Sequence, residues 1–320
     1  MGGTPFTDPV SLEIFKTLNW FVTDNISDAD FIVAHNHKKL LPTALLYSKK
    51  NHLVWTNEPR FDVTFKSEVR LPFGMSKINI MNIYSNDVFW NNLHFLSSYH
   101  FDNCNNLGID INKPLKELTK TELLSIGKQH CIAALFTNTI TQKRKLIKAG
   151  IDIDLTKKRC EYAITGHKRK LLHIYGNKWP IGYARDNSGY GFEKNQPWWI
   201  EKLQILRDYK FNLCFENTAH PYYVTEKIWH AIYAYSLPVY NSFNSTIYET
   251  FPENSFIDAH LFKDEHALFD FIEAMSDDEY LDRLNACIKV MNNSLEIKGR
   301  SYAKNANDVI KKIVDRLTNT

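Results

Sequence analysis

Short apolar runs alternate along this chain with stretches whose apolar residues recur every three to four positions. ADFIVAH (29–35) reads as a buried strand and HLVWTN (52–57) as the next, with LLPTALLYSK (40–49) between them as a helix. INIMNIY (78–84) fits a further strand, and HCIAALFTN (130–138) is a strong one. Before them, PVSLEIFKTLNWFV (9–22) places Ile14, Leu18 and Phe21 on one predicted helix face. The second half keeps the rhythm. KLLHIYGN (170–177), YKFNLCFEN (209–217), LPVYN (237–241) and NSFIDAH (254–260) read as strands. EKIWHAIYAY (226–235) spaces Ile228, Ala231, Ile232 and Tyr235 for one helix face. EHALFDFIEAM (265–275) and the tail NANDVIKKIVDRLTN (305–319) complete the predicted helices.

Strands alternating with helices predict an α/β fold with parallel sheets. At 320 residues the chain is comfortable for two domains. The basic stretch TKKRCEYAITGHKRK (156–170) is the clearest break in composition. It predicts a boundary near 140–170, with an amino-terminal domain over 1–150 and a carboxyl-terminal domain over 151–320.

Composition narrows the function. An apolar share of 44% and a charged share of 23% are ordinary for a globular protein. A net charge of +3 is too small for wholesale nucleic-acid binding and suits a protein that holds a small anion. The five cysteines have neither CxxC nor paired spacing, which argues against a disulfide framework or a zinc site. The DID at 152–154 matches a metal-binding DxD, but a lone match is weak and a polar linker is the expected setting. The HNH at 35–37 has no partner of matching spacing. The paired Trp198 and Trp199 suit either sugar stacking or a core. No run of 18 apolar residues occurs, and the first residues do not resemble a signal peptide.

One stretch concentrates chemistry: FNLCFENTAHPYYVTEKIWHA, 211–231. An apolar strand runs through a polar loop into an amphipathic helix. Ligands of open α/β sheets collect at the carboxyl ends of strands, and a helix start offers unpaired N–H groups to a phosphate. Thr225 is placed to cap that helix, and Lys227 lies in its first turn. A lysine there is unfavourable by about 0.3–1 kcal/mol unless an anion compensates. Glu226 could accept from ribose hydroxyls, and Tyr223 and Asn217 could bond sugar or phosphate. An ordinary solvated helix start is the competing reading, and neither a Walker loop nor GxGxxG is present.

KFNLCFENTAHPYYVTEKIWHAIYAYSLPVY, followed by ENSFID, resembles the signature of the α-1,3/1,4-fucosyltransferases, glycosyltransferase family 10. That family's stretch reads approximately F-x-F-x-L-x-F-E-N-S, then Y-V-T-E-K, a helix, P-V, and later S-F-I. HLVWTNEPRFD, VRLPFG and RCEYAITGHKRKLLHIYG are more weakly similar to upstream family segments. The resemblance implies a GT-B architecture, two Rossmann-like domains facing a cleft, with the donor GDP-fucose in the carboxyl-terminal domain. It implies inverting transfer of fucose to a hydroxyl, O3 of N-acetylglucosamine or glucose in a glycan acceptor, with no metal or other cofactor. It makes Asn217, Tyr223, Glu226 and Lys227 donor-binding residues, Arg159 a pyrophosphate ligand, and Glu58 the general base. Arg159 and Lys227 then stabilise the leaving diphosphate. The alternatives are a transferase of another nucleotide sugar and an inactive glycan-binding module. A cytoplasmic enzyme of bacterial type, at most peripheral to a membrane, is expected. The alternative is a soluble catalytic fragment of a membrane-anchored enzyme.

Overall fold

The computed structural model describes residues 5–7, 9–56, 58–61, 66–70, 77–82, 114–141, 145–186, 198–297 and 302–319. Contacts divide the chain into two units, Met1–Asp102 with Gly299–Thr320, and Asn103–Lys298.

The first unit is built on a four-stranded sheet. Its strands are β1 (Phe31–Ala34), β2 (Asn51–Thr56), β3 (Glu68–Arg70) and β4 (Lys77–Asn82), in the order β1-β2-β4-β3. β1, β2 and β4 are parallel, and β3 runs antiparallel on the edge, Glu68 opposite Asn79. Helix α1 (Pro9–Thr17) precedes the sheet, and α2 (His37–Leu46) crosses over between β1 and β2. Leu40 and Ala44 of α2 meet Val54, Ile78 and Ile80 in the core. The HNH stretch serves that crossover: Asn36 caps α2, its side chain accepting from the Lys39 N–H at 3.0 Å. Helix α1 buries Ser11 and Phe15 instead of the expected Ile14, Leu18 and Phe21 face. The helix ends at Thr17, so Phe21 lies beyond it and is 74% exposed.

The second unit has a six-stranded, all-parallel sheet. Its strands are β5 (His130–Leu135), β8 (Leu172–Tyr175), β9 (Ala184–Asp186), β10 (Tyr209–Leu213), β11 (Leu237–Tyr240) and β12 (Ile257–Asp258). The order is β12-β11-β10-β5-β8-β9. Counted from β5 this is 6-5-4-1-2-3, the doubly wound Rossmann order, with its switch point between β5 and β10. A two-stranded hairpin, β6 (Ile147–Lys148) with β7 (Ile151–Asp152), follows β5. The helices are α3 (Lys120–Ile126), α4 (Thr156–Lys168), α5 (Trp198–Arg207), α6 (Glu226–Tyr233), α7 (Glu265–Ala274) and α8 (Asp277–Ile297). A last helix, α9 (Tyr302–Thr318), packs on α1 in the first unit. Both units are therefore α/β with mainly parallel sheets.

This division differs from the expected boundary at 150. β5 is hydrogen-bonded to both β10 and β8, so a cut there would remove the central strand from its sheet. The basic stretch 156–170 is not a linker. It forms α4, which buries Arg159, Cys160, Tyr162, Ala163 and Gly166 beneath a charged outer face. Gly166 is required by packing, since a Cβ there would lie 2.7 Å from Phe269 and 2.9 Å from Leu172. No helix among the described residues is long and apolar enough to cross a membrane.

Candidate active site

The loops after β5 and β10 sit at the switch point, where a doubly wound sheet opens a crevice. A cavity of about 160 Å3 lies there. Its polar lining is Arg159 from α4, Lys202 from α5, Asn212 from β10, and Glu226 and Lys227 from α6. Phe136 and Phe215 close its apolar side.

Each element delivers its side chain for a local reason. Arg159 is 8% exposed, and its guanidinium stacks over the Phe136 ring at 4.7 Å. Phe136 is itself fixed, because its carbonyl accepts from Trp179 Nε1 at 2.9 Å. Gly176 has φ +124°, and a Cβ there would lie 2.5 Å from the same carbonyl. Only glycine lets the two loops approach that closely.

At the start of α6 the buried Glu216 organises the turn. Its Oε1 accepts from the Thr225 N–H at 2.7 Å. The Thr225 hydroxyl lies 2.8 and 2.9 Å from the two carboxylate oxygens. Lys227 Nζ sits 2.9 Å from Glu216 Oε2, 2.6 Å from Thr225 Oγ1 and 3.3 Å from Glu226 Oε1. Burial pushes the Glu216 carboxyl up, and the Lys227 ammonium pulls the other way. Thr225 occupies the cap position but makes no side-chain cap bond to α6, because its hydroxyl is committed to Glu216. Glu216 is thus an internal anion that offsets a lysine at a helix start.

The structure brings Arg159, Glu226 and Lys227 onto one cavity. Asn217 and Tyr223 are not among its lining residues. The Asn217 carbonyl accepts from the Leu155 N–H at 3.1 Å, anchoring the entry to α4, and its side chain accepts from Thr218 Oγ1 at 2.9 Å. Tyr223 is 4% exposed, packed within the loop. Glu58 follows β2 in the first unit and is half-buried, its backbone N–H and carbonyl both bonded to Thr56 Oγ1. The DID carboxylates are committed to turn geometry. Asp152 accepts from the Leu146 and Asp154 N–H groups, and Asp154 from the Thr156 N–H and hydroxyl. Among the described residues no group of three His, Cys, Asp or Glu side chains could hold a metal ion.

Two functional side chains escaped sequence reasoning. Glu216 ends an apolar run, and that position could have marked it as a buried acid. Lys202 falls on the apolar stripe of α5 with Trp199, Leu203 and Leu206, a slot where a lysine is out of pattern. Trp199 is core, whereas Trp198 is 38% exposed and lines the cavity.

The glycosyltransferase family 10 (fucosyltransferase) C-terminal model matches residues 173–283. That match covers about a third of the chain. An alpha-(1,3)-fucosyltransferase of Helicobacter pylori is 35% identical over 105 residues, 32% of this chain and 20% of that one. A 3-galactosyl-N-acetylglucosaminide 4-alpha-L-fucosyltransferase of Bos taurus is 39% identical over 82 residues, 25% of this chain and 22% of that one. These matches span about a fifth of the relatives' length. A crystal structure of an alpha1,3-fucosyltransferase with GDP-fucose aligns over 80% of this chain and 69% of that one, at 19% identity and a TM-score of 0.40. The fold class rests on the strand order itself. The family 10 match takes in β10, the Glu216 turn and α6, but not Arg159 or Glu58.

Proposed function

We propose that this protein transfers L-fucose from GDP-fucose to a hydroxyl of a glycan acceptor, O3 of N-acetylglucosamine or glucose, with inversion. The observation that carries the reading is the convergence of Arg159 and Lys227 on one cavity at the switch point, within a unit whose residues 173–283 match the family 10 model.

The chemistry follows from charge. As the bond between the anomeric carbon and the phosphate oxygen breaks, the ring gains positive character and GDP takes the electron pair. Cations fixed beside the diphosphate stabilise that arrangement more than the ground state. The Arg159 fork can hold two phosphate oxygens, and its stacking on Phe136 keeps it from reorienting. Lys227 and the N–H groups that begin α6 add positive potential. Glu226 offers acceptor oxygens to sugar hydroxyls. These cations make a resident metal unnecessary for neutralising the leaving group.

Glu58 is the proposed base. It takes the proton of the acceptor hydroxyl as that oxygen bonds to the anomeric carbon from the face opposite the departing GDP, which gives inversion in one displacement. Asn217 and Tyr223 are proposed to reach the donor from the loop.

The test is donor titration followed by turnover. GDP is expected to bind in preference to UDP, and labelled GDP-fucose to label a glycan panel without added divalent ion. Tight UDP binding without GDP binding would assign the site to another nucleotide sugar. Donor binding with no transfer to any acceptor would make the protein a glycan-binding module.

A further inference from the structure

Lys202 is 5% exposed, lines the switch-point cavity, and makes no hydrogen bond or salt bridge to another described residue. An ammonium removed from water without a partner is costly, and folded chains rarely keep one without a compensating ligand. Its position on α5 puts it on the cavity wall formed with Asn212, whose Oδ1 is also buried without a donor. Arg159 and Lys227 complete the cationic lining, with Glu226 the carboxylate among them.

We propose that Lys202 is a third cationic ligand of the diphosphate, donating from the inner wall of the cavity to a phosphoryl oxygen. The assignment rests on reading the cavity as a nucleoside diphosphate site. Arg159 and Lys227 are already engaged, by the Phe136 ring and by Glu216 and Glu226 respectively. Lys202 makes no such contact with another described residue, and Glu226 and Lys227 act on its charge in opposite directions, which leaves it available to what enters the cavity.

The same burial makes Lys202 respond to a ligand in a measurable way. Burial pushes its ammonium down to about 8, opposed by Glu226 and reinforced by Lys227. The groups that face it are Glu226 and Lys227 on α6, Cys214 and Glu216 at the end of β10, and Arg159 on α4 across the cavity. A polyanion beside it raises that value, so binding near pH 8.5 draws a proton onto the amine. The guanine N1–H of GDP titrates at somewhat higher pH, and its contribution is common to wild type and K202M.

The experiment is isothermal titration of GDP into wild type and K202M, at pH 8.5 in two buffers of different ionisation enthalpy. Methionine fills the same volume without a buried charge, so K202M is expected to fold with an unchanged or higher Tm. Wild type is expected to take up a substantial fraction of a proton per GDP. K202M is expected to take up clearly less, and at pH 7 to bind about tenfold or more weakly. Equal affinity and equal proton uptake in the two proteins would overturn the assignment while leaving the reading of the site intact. Wild type that binds no GDP would overturn that reading, and the assignment with it. If K202M fails to fold, K202Q takes its place with the same expected outcomes.

Discussion

Lys227 Nζ lies 2.9 Å from Glu216 Oε2, in a pair whose carboxylate side chain is 2% exposed and whose lysine side chain is 21% exposed. The lysine faces two ways, toward a fixed internal anion and toward the cavity. Glu216 fixes the position of an ammonium that also lines the cavity. Removing Lys227 strands a buried carboxylate, which costs about 2–4 kcal/mol, less than a fully buried pair because water reaches the lysine. K227M is therefore expected to lose both stability and GDP affinity. The K227M/E216Q double variant is expected to recover at least about 1 kcal/mol of that stability but none of the affinity. Urea unfolding and GDP titration separate the two effects. Affinity restored together with stability would mean that Lys227 acts only through the fold.

Glu58 lies in the first unit just past β2, where its backbone N–H and carbonyl are bonded to Thr56 Oγ1. E58Q is expected to leave GDP binding and Tm unchanged and to lower the transfer rate by roughly 10²–10⁴. Initial rates with saturating donor and acceptor measure it. Full activity in E58Q would remove Glu58 from the mechanism.

Gly176 holds the loop after β8 against the Phe136 carbonyl. G176A must move backbone at a positive φ and a 2.5 Å contact, so it is expected to cost about 2 kcal/mol or more. Because Phe136 carries the Arg159 guanidinium, GDP affinity should fall as well. Thermal denaturation and titration on the same sample check both. A variant as stable as wild type would mean that the two loops are free to separate.

His220 lies 2.9 Å from Lys148 Nζ, and burial, then that lysine, push its imidazole down to about 4. His173 is held at about 4 by burial, then by Arg185 and His130. Both are neutral in the folded protein at pH 5, where the unfolded groups, near 6.5, are charged. Their contribution to stability is complete above about pH 6.5 and is lost as the pH falls toward 4. Urea unfolding from pH 7 to 4.5 should show that decline, and H220Q should flatten it. An unchanged slope in H220Q would place the acid sensitivity elsewhere.

Much of the second unit was legible because its strands are continuous apolar runs, as buried parallel strands must be. The helix at Glu226–Tyr233 followed from Ile228, Ala231 and Ile232, all fully buried, although Tyr235 lies beyond its end at φ +54°. The stretch 156–168 misled because its polar composition hides a narrow buried face. Arg159 occupies that face, and composition does not say which way an arginine points. The register of α1 was missed for the opposite reason: with Ile14, Phe15 and Leu18 all apolar, periodicity alone could not choose between neighbouring stripes. Glu216 and Lys202 were invisible to any rule that places charges in water. Their roles depend on groups that meet only when strand and helix pack, and such exceptions collect at functional sites.

The most direct test is a crystal structure with GDP bound. The diphosphate is expected at the ends of β5 and β10, with its oxygens about 3 Å from the Arg159 guanidinium and from Lys227 Nζ. A guanine nucleotide seated elsewhere in the protein, out of reach of both side chains, would contradict the central claim.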